Sequence, residues 1–302
     1  MNKVRMVQPT RKIGKRKQAY HRVGWRFSYL NNFLVWGILV VTMGLVLTPL
    51  AFMVVSSVMP YREVMRIPFR WIPTSFHWQN YWQAIRGNDG SFIYLRNILN
   101  SFFVASMVTL TTVFISAMTG YGLAKLPFRG RNLVFIMIMA TMMVPFEAIM
   151  IPLYLIVTKF GWQDSYTGLI IPLMVNAFGI FLMRQFLITF PDAVIDSARI
   201  EGASEFRIFW DIVLPNAIPA VVALGILTFR QQWDSLIWPL LITQSEEMKT
   251  IPLYIVRFNS EKYTNEGALM AVAVIASLPI IILFFSMARY FTGGLTISGM
   301  KH

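Results

Sequence analysis

Residues 191–215 read PDAVIDSARIEGASEFRIFWDIVLP and separate two long apolar runs, Gly168–Ile188 and Ile218–Thr243. Asp192 and Ser204 are good N-cap residues for two short helices. Gly202 lies between them, where the chain must turn sharply or approach a neighbour closely. Ala198 and Ala203 leave no bulk at that elbow, so the segment can project as a knuckle into a groove on a partner. Ile195, Ile200, Phe206 and Phe209 are expected to pack beneath it. The bland alternative is an amphipathic loop lying on lipid headgroups.

The apolar runs on either side continue through the chain. A transmembrane helix needs about 20 mainly apolar residues to cross roughly 30 Å of hydrocarbon. Phe33–Ser57, Ile98–Ala124, Leu133–Val157, Gly168–Ile188, Ile218–Thr243 and Ala268–Phe291 meet that rule, which predicts six spans in an all-α integral membrane protein. Pro145 and Pro152 interrupt the third span, and Arg230 and Asp234 the fifth. The composition agrees: of 302 residues 56% are hydrophobic and 14% charged, where a soluble domain carries about a quarter charged. The first run comes after a long basic tail, is too long for a signal-peptide core and lacks a convincing cleavage site, so it is read as an anchor.

Residues 1–32 form that tail, disordered or interfacial, with Lys3, Arg5, Arg11, Lys12, Lys15, Arg16, Lys17, Arg22 and Arg26 against no acidic residue. The positive-inside rule keeps it cytoplasmic, and an even number of spans then places the C-terminus inside as well. Later loops do not decide the matter. Their outer members carry Arg62, Arg66, Arg70, Arg86, Arg96, Lys159, Lys249, Arg257 and Lys262, nine cations against eight in the inner ones. The basic excess, 27 Lys and Arg against 14 Asp and Glu, is thus concentrated at one end, which points to a membrane surface rather than nucleic acid.

The chain has no cysteine, its three histidines lie far apart, and neither G-x-x-x-x-G-K-[ST] nor G-x-G-x-x-G occurs. No metal site, catalytic constellation or phosphate cradle is therefore expected, and any ATP must be bound by another subunit.

The 191–215 segment resembles the cytoplasmic loop of binding-protein-dependent ATP-binding-cassette importer permeases, E-A-A-x-x-x-G and then I-x-L-P. Asp196-Ser197-Ala198 stands for the triplet, Arg199 and Glu201 precede Gly202, and Ile212-Val213-Leu214-Pro215 closes the motif. Asp196 replaces the usual Glu and Ser197 the usual Ala. The likeness covers most of residues 33–302 and points to the carbohydrate branch, to the maltose-permease-type second membrane subunit. It is carried by Arg96 to Ser101, Tyr121 to Arg129, Met143 to Tyr154, Trp233 to Leu240 and Arg289 to Lys301, with Asp234 where the family usually has Asn. The resemblance implies a type I importer fold in a bacterial or archaeal cytoplasmic membrane. It also implies a homologous second permease subunit, two ATPase subunits carrying ATP and Mg, and an extracytoplasmic solute-binding protein. Gln244–Glu266 would then face the binding protein, and Gly299–His302 the ATPases.

Ionisable groups at bilayer depth are costly unless they face a partner or water. Arg230, Gln231, Trp233 and Asp234 form the densest such cluster, with Arg230 and Asp234 four apart on one helix face. Two readings stay open: a polar wall of the translocation path, with Trp233 as a flat surface for a sugar ring, or an ion pair locking the interface with the sister subunit. An unneutralised Arg230 would favour an acidic sugar or phosphate ester. Glu147 is expected at the break of the third span, Asn97 and Asn100 as caps of the second helix, and Met137, Met139, Met142 and Met143 as adaptable packing. A secondary transporter would instead show inverted repeats, which the sequence lacks.

Overall fold

The computed structural model describes residues 25–87, 90–260 and 265–296, and every regular element among them is helical. In chain order these are α1 (Trp25–Ser57), α2 (Tyr61–Val64), α3 (Gln79–Arg86), α4 (Ile93–Lys125), α5 (Arg131–Thr141), α6 (Phe146–Lys159), α7 (Tyr166–Ile170), α8 (Ala177–Ile188), α9 (Asp192–Ile200), α10 (Glu205–Arg207), α11 (Leu214–Asn216), α12 (Ile218–Trp233), α13 (Ile237–Ile242), α14 (Ile251–Ser260) and α15 (Glu266–Thr296). The chain divides into two compact units, residues up to Ala51 and residues from Phe52 onward. Helix α1 begins at Trp25, inside the tail expected to run to residue 32. Residues 1–24 of that tail, and Gly299–His302, lie outside the described residues.

Three helical stretches are long and apolar enough to cross a bilayer singly: Asn32–Ser57, Ile93–Lys125 and Glu266–Met287. Three further pairs qualify as bent spans, Arg131–Thr141 with Phe146–Lys159 (94°), Tyr166–Leu173 with Ala177–Ile188 (44°) and Glu205–Asn216 with Ile218–Trp233 (77°). Each bend has a chemical cause. Pro145 stands in an extended conformation at the first, and Asn176 at the second stops one helix and caps the next by accepting from Phe178 N–H and Gly179 N–H. At the third, Pro215 and Pro219 remove two backbone donors four residues apart; ahead of them Ile208–Val213 winds as a π-helix. The expected fifth span is not one helix either. It stops at Trp233 and resumes at Ile237, so the Asp234 region interrupts it as its polar residues imply.

Helix α4 is the spine of the second unit. Its 33 residues, about 50 Å at the usual helical rise, touch three apolar cores. One joins Tyr94 and Ala105 to Phe229, Trp233, Tyr254, Phe258 and the Ala268–Val272 turn of α15. Another joins Val104 and Val108 to Val157, Leu169, Trp238 and Ile242. The last packs Ala117 and Tyr121 against Met183, Leu187, Ile195, Ile208, Phe209 and Leu224. Close approach of α4 and α8 depends on glycine: a Cβ at Gly120 would lie 2.8 Å from Met183 Cβ, and one at Gly179 would lie 2.5 Å from Ser116 Oγ.

Much apolar surface faces outward, as a protein embedded in lipid or against a partner requires. The methionine run belongs to it: Met137, Met142 and Met143 are exposed and α5 buries no residue, so these side chains do not pack within this chain as expected.

Candidate functional site

The segment between α8 and α12 folds as the elbow its residues predict. α9 ends at Ile200, Gly202 adopts φ +84°, and α10 starts at Glu205 behind Ser204, whose hydroxyl accepts from Arg207 N–H. The left-handed turn requires glycine, and no atom lies within 4 Å of where its Cβ would stand, so the elbow tip is bare. Asp192 is not the cap of α9. Pro191 holds that place, and the Asp192 carboxylate is drawn to Lys125 Nζ at 2.6 Å. The same ammonium donates to Phe190 O at 2.6 Å, fastening the start of α9 to the end of α4. This contact holds the Asp192 carboxyl below its ordinary range.

A second fastening lies deeper. Glu205 accepts from Tyr121 Oη at 2.6 Å and from Arg199 Nε at 2.7 Å, while Arg199 Nη1 reaches Asp196 at 3.0 Å. The guanidinium bond, working against partial burial and aided by the phenol, holds Glu205 below the usual carboxylate value. Arg199 is raised in turn, by that bond first. Both short helices of the elbow are thus tied to one another and to α4.

Ile195 and Phe209 are buried under the elbow as expected, but Ile200 (87% exposed) and Phe206 (63%) are not. The inward face of α9 is set by Ile195 and Ala198, three apart, which turns Ile200 away. The reversal at Gly202 then leaves Phe206 outside, beside half-exposed Trp210 with ring centroids 6.0 Å apart. Ala198, Glu201, Gly202, Ala203, Arg207 and Asp211 border a shallow cleft of about 280 Å³ at this point. Ser197 Oγ is spent locally on Ala193 O at 2.8 Å.

On α12 the sequence-predicted cluster divides. Leu227, Arg230, Gln231 and Asp234 lie on one exposed face, and Arg230 Nε approaches Asp234 Oδ2 at 3.5 Å. Trp233 is on the opposite face, 3% exposed, stacked with Phe229 and donating through Nε1 to Ala276 O at 3.1 Å. Its ring therefore packs α12 on α15 and presents no surface to a sugar. Glu147 sits exposed in the first turn of α6, where the helix dipole favours a carboxylate; it makes no ion pair among the described residues.

Asn97 and Asn100 are not caps, since α4 starts at Ile93 and both amides are fully buried. Asn100 Nδ2 donates to the carbonyls of Glu247 (2.6 Å) and Lys249 (2.9 Å), and its Oδ1 accepts from Tyr166 Oη at 2.6 Å. Asn97, with its amide turned to suit, donates to Glu246 O and Lys249 O. Ser101 Oγ accepts from Ile251 N–H at 2.8 Å. From the other side Asp164 Oδ1 accepts from Gln244 N–H and Ser245 N–H at 2.8 and 3.0 Å. Two Asn and a Ser on one face of α4 thus stitch down residues 246–251, and Asp164 holds the two residues before them. Only their i, i+3, i+4 spacing hinted at a shared face.

These features belong to a recognised class of membrane component. Residues 112–296 match the family described as binding-protein-dependent transport system inner membrane component. The chain is 36% identical over 259 residues to the arabinooligosaccharides transport system permease protein of Bacillus subtilis (strain 168), covering 85% of this chain and 91% of that protein. It is 35% identical over 265 residues to the sn-glycerol-3-phosphate transport system permease protein of Yersinia pestis, covering 86% and 94%. A crystal structure of a bacterial ABC transporter involved in import of the acidic polysaccharide alginate contains a chain of the same fold, with TM-score 0.76, 22% identity and coverage of 88% and 97%. The chain belongs to the family of binding-protein-dependent transport system inner membrane components. It is a membrane permease subunit of an ATP-binding-cassette importer, a transport component rather than an enzyme.

Proposed function

We propose that this chain is one of two homologous permease subunits through which a sugar or sugar derivative, delivered by an extracytoplasmic binding protein, enters the cytoplasm of a bacterium. Six spans cross the cytoplasmic membrane with both termini inside, two of them bent, and Glu205–Asn216 lies at the cytoplasmic face ahead of the fifth. Two ATPase subunits bind ATP and Mg, and one of them receives the elbow around Gly202.

One observation carries the coupling role: Ile200 and Phe206 stand in solvent beside a glycine tip whose base is locked to α4 by Tyr121, Glu205 and Arg199. An apolar knuckle on a rigid mount can be pushed by a partner and move the spans with it. The sugar class is supported by the arabinooligosaccharides named for one relative; the sn-glycerol 3-phosphate named for another is a polyol phosphate ester and favours a second reading, a non-sugar phosphate ester. The exposed face bearing Arg230, Gln231 and Asp234 cannot rest against lipid, so it borders the sister subunit or the path between the two.

The test is reconstitution of the whole complex with its binding protein, screening neutral and anionic sugars for stimulation of ATP hydrolysis. Stimulation by at least one sugar supports the reading, and response to an ion gradient with no ATPase subunit overturns it. In the same assay Arg230→Leu should lower transport several-fold without loss of assembly, with anionic substrates affected most.

A further inference from the structure

The connection between Ser57 and Ile93 is a built surface rather than a slack loop. Asn80, 3% exposed, donates through Nδ2 to the carbonyls of Ser57 at 3.0 Å and Met59 at 2.8 Å. His77 N–H donates to Val58 O at 2.8 Å, Tyr81 Oη lies 2.8 Å from Ser57 Oγ, and Asn265 donates to Asn80 Oδ1 at 3.2 Å. Helix α3 is therefore fixed with Asn80 and Ala84 turned inward. Trp78, Trp82 and Arg86, recurring every four residues, are turned outward.

That outward surface is one that water alone disfavours. Ile67 is 95% exposed, Ile72 82%, Trp78 67% and Phe76 66%, and the rings associate in pairs, Phe76 with Trp78 and Trp82 with Phe92. Interleaved with them are Arg62, Arg66, Arg70 and Arg86, all exposed and with no ion pair among the described residues. Of the two acids in this stretch, Glu63 is engaged by the backbone and hydroxyl of Thr74, and Asp89 lies outside the described residues. Tryptophan rings, with their polar N–H edge, beside exposed guanidinium groups are the chemistry of a membrane–water boundary. Placement agrees, because the strip is bracketed in sequence by Ser57, the end of one apolar span, and Ile93, the start of another.

We propose that residues 61–87, together with Phe92, form a platform that grips anionic phospholipid headgroups, the aromatic side chains bedding at the glycerol level and the four arginines binding phosphates. A transient protein partner fits the surface less well. A docking protein that comes and goes would leave Ile67, Ile72 and Trp78 in water between visits, whereas lipid covers them continuously. The proposal goes beyond the transport reading and does not depend on which solute is carried.

The cysteine-free chain allows a direct test in the assembled complex in nanodiscs. Spin labels at Ile72→Cys and Trp82→Cys should collide more often with oxygen, which concentrates in lipid, than with a water-soluble nickel chelate. The opposite ranking at both sites overturns the platform. Spin-labelled phosphatidylglycerol should be retained several-fold over labelled phosphatidylcholine, and Arg62→Gln/Arg66→Gln/Arg70→Gln/Arg86→Gln should abolish that preference while the four Arg→Lys replacements keep it. An unchanged preference in the Gln variant, or weakened docking of the binding protein with lipid preference intact, refutes the role assigned to the arginines. If the Gln variant fails to assemble, the two single-label measurements still decide.

Discussion

Tyr121 donates its phenolic proton to Glu205 at 2.6 Å across 84 residues of sequence, joining the C-terminal end of the spine helix to the elbow beyond α8. Removing only that hydroxyl should loosen the mount without disturbing the spans. Tyr121→Phe is expected to cost about 1 kcal/mol at this contact, the scale of one partly exposed hydrogen bond. Sugar-stimulated hydrolysis should fall several-fold while basal hydrolysis and membrane insertion persist; unchanged stimulation in reconstituted complexes removes the mount from the coupling path.

The same carboxylate sets a pH response. Glu205 titrates below its ordinary value of about 4.3, so its contribution is complete above that value and fades as pH falls through the lower folded one. Coupling should therefore be flat through neutral pH and decline only in acid. Glu205→Gln should start from weaker coupling and flatten the acid limb, which a pH series of stimulated against basal hydrolysis measures.

Gly202 sits at φ +84° with open space around it, so substitutions meet backbone strain before they meet this chain's own atoms. Gly202→Ala should cost about 1–2 kcal/mol of local strain. Gly202→Leu adds a side chain that a closely approaching ATPase cannot accommodate. The expected order is mild loss of stimulation for Ala and loss of docking or stimulation for Leu, with the permease pair intact in both. Equal behaviour of the two variants, read by ATPase copurification, argues for strain alone.

Asn100 answers two carbonyls and a phenol from full burial. Asn100→Leu leaves all three unpaired, a penalty of about 2 kcal/mol or more. Residues 246–251 should exchange amide hydrogen faster, and response to the binding protein should fall while the elbow keeps its protection. Equal exchange in the variant would falsify the stitching role.

Orientation is checked by labelling single cysteines at two exposed sites, Arg129→Cys between α4 and α5 and Ser260→Cys at the end of α14. In intact cells a membrane-impermeant thiol reagent should reach Ser260→Cys and not Arg129→Cys. The reverse pattern sinks the arrangement with both termini inside.

Apolar length and the elbow's turn were legible along the chain because each is a local property. Twenty apolar residues can only be buried or in lipid, proline removes its own donor, and Gly202 between two short helices announces a turn wherever the chain goes. Direction on a helix was not legible. Trp233 and Arg230 are three residues apart, yet α15 packs against one and leaves the other exposed, and nothing in their spacing says which. Ile200 and Phe206 read as core because they are apolar; Ile195 and Ala198 take the inward face first, and the glycine turn reverses the chain before Phe206. Asn97 and Asn100 read as caps because asparagine favours helix ends, while their partners lie some 150 residues later, at Glu246, Glu247 and Lys249. Local chemistry named the elements, and only the packing of distant ones decided which side of each faces a partner, because a buried hydrogen bond or apolar contact needs two surfaces and the sequence presents them one at a time.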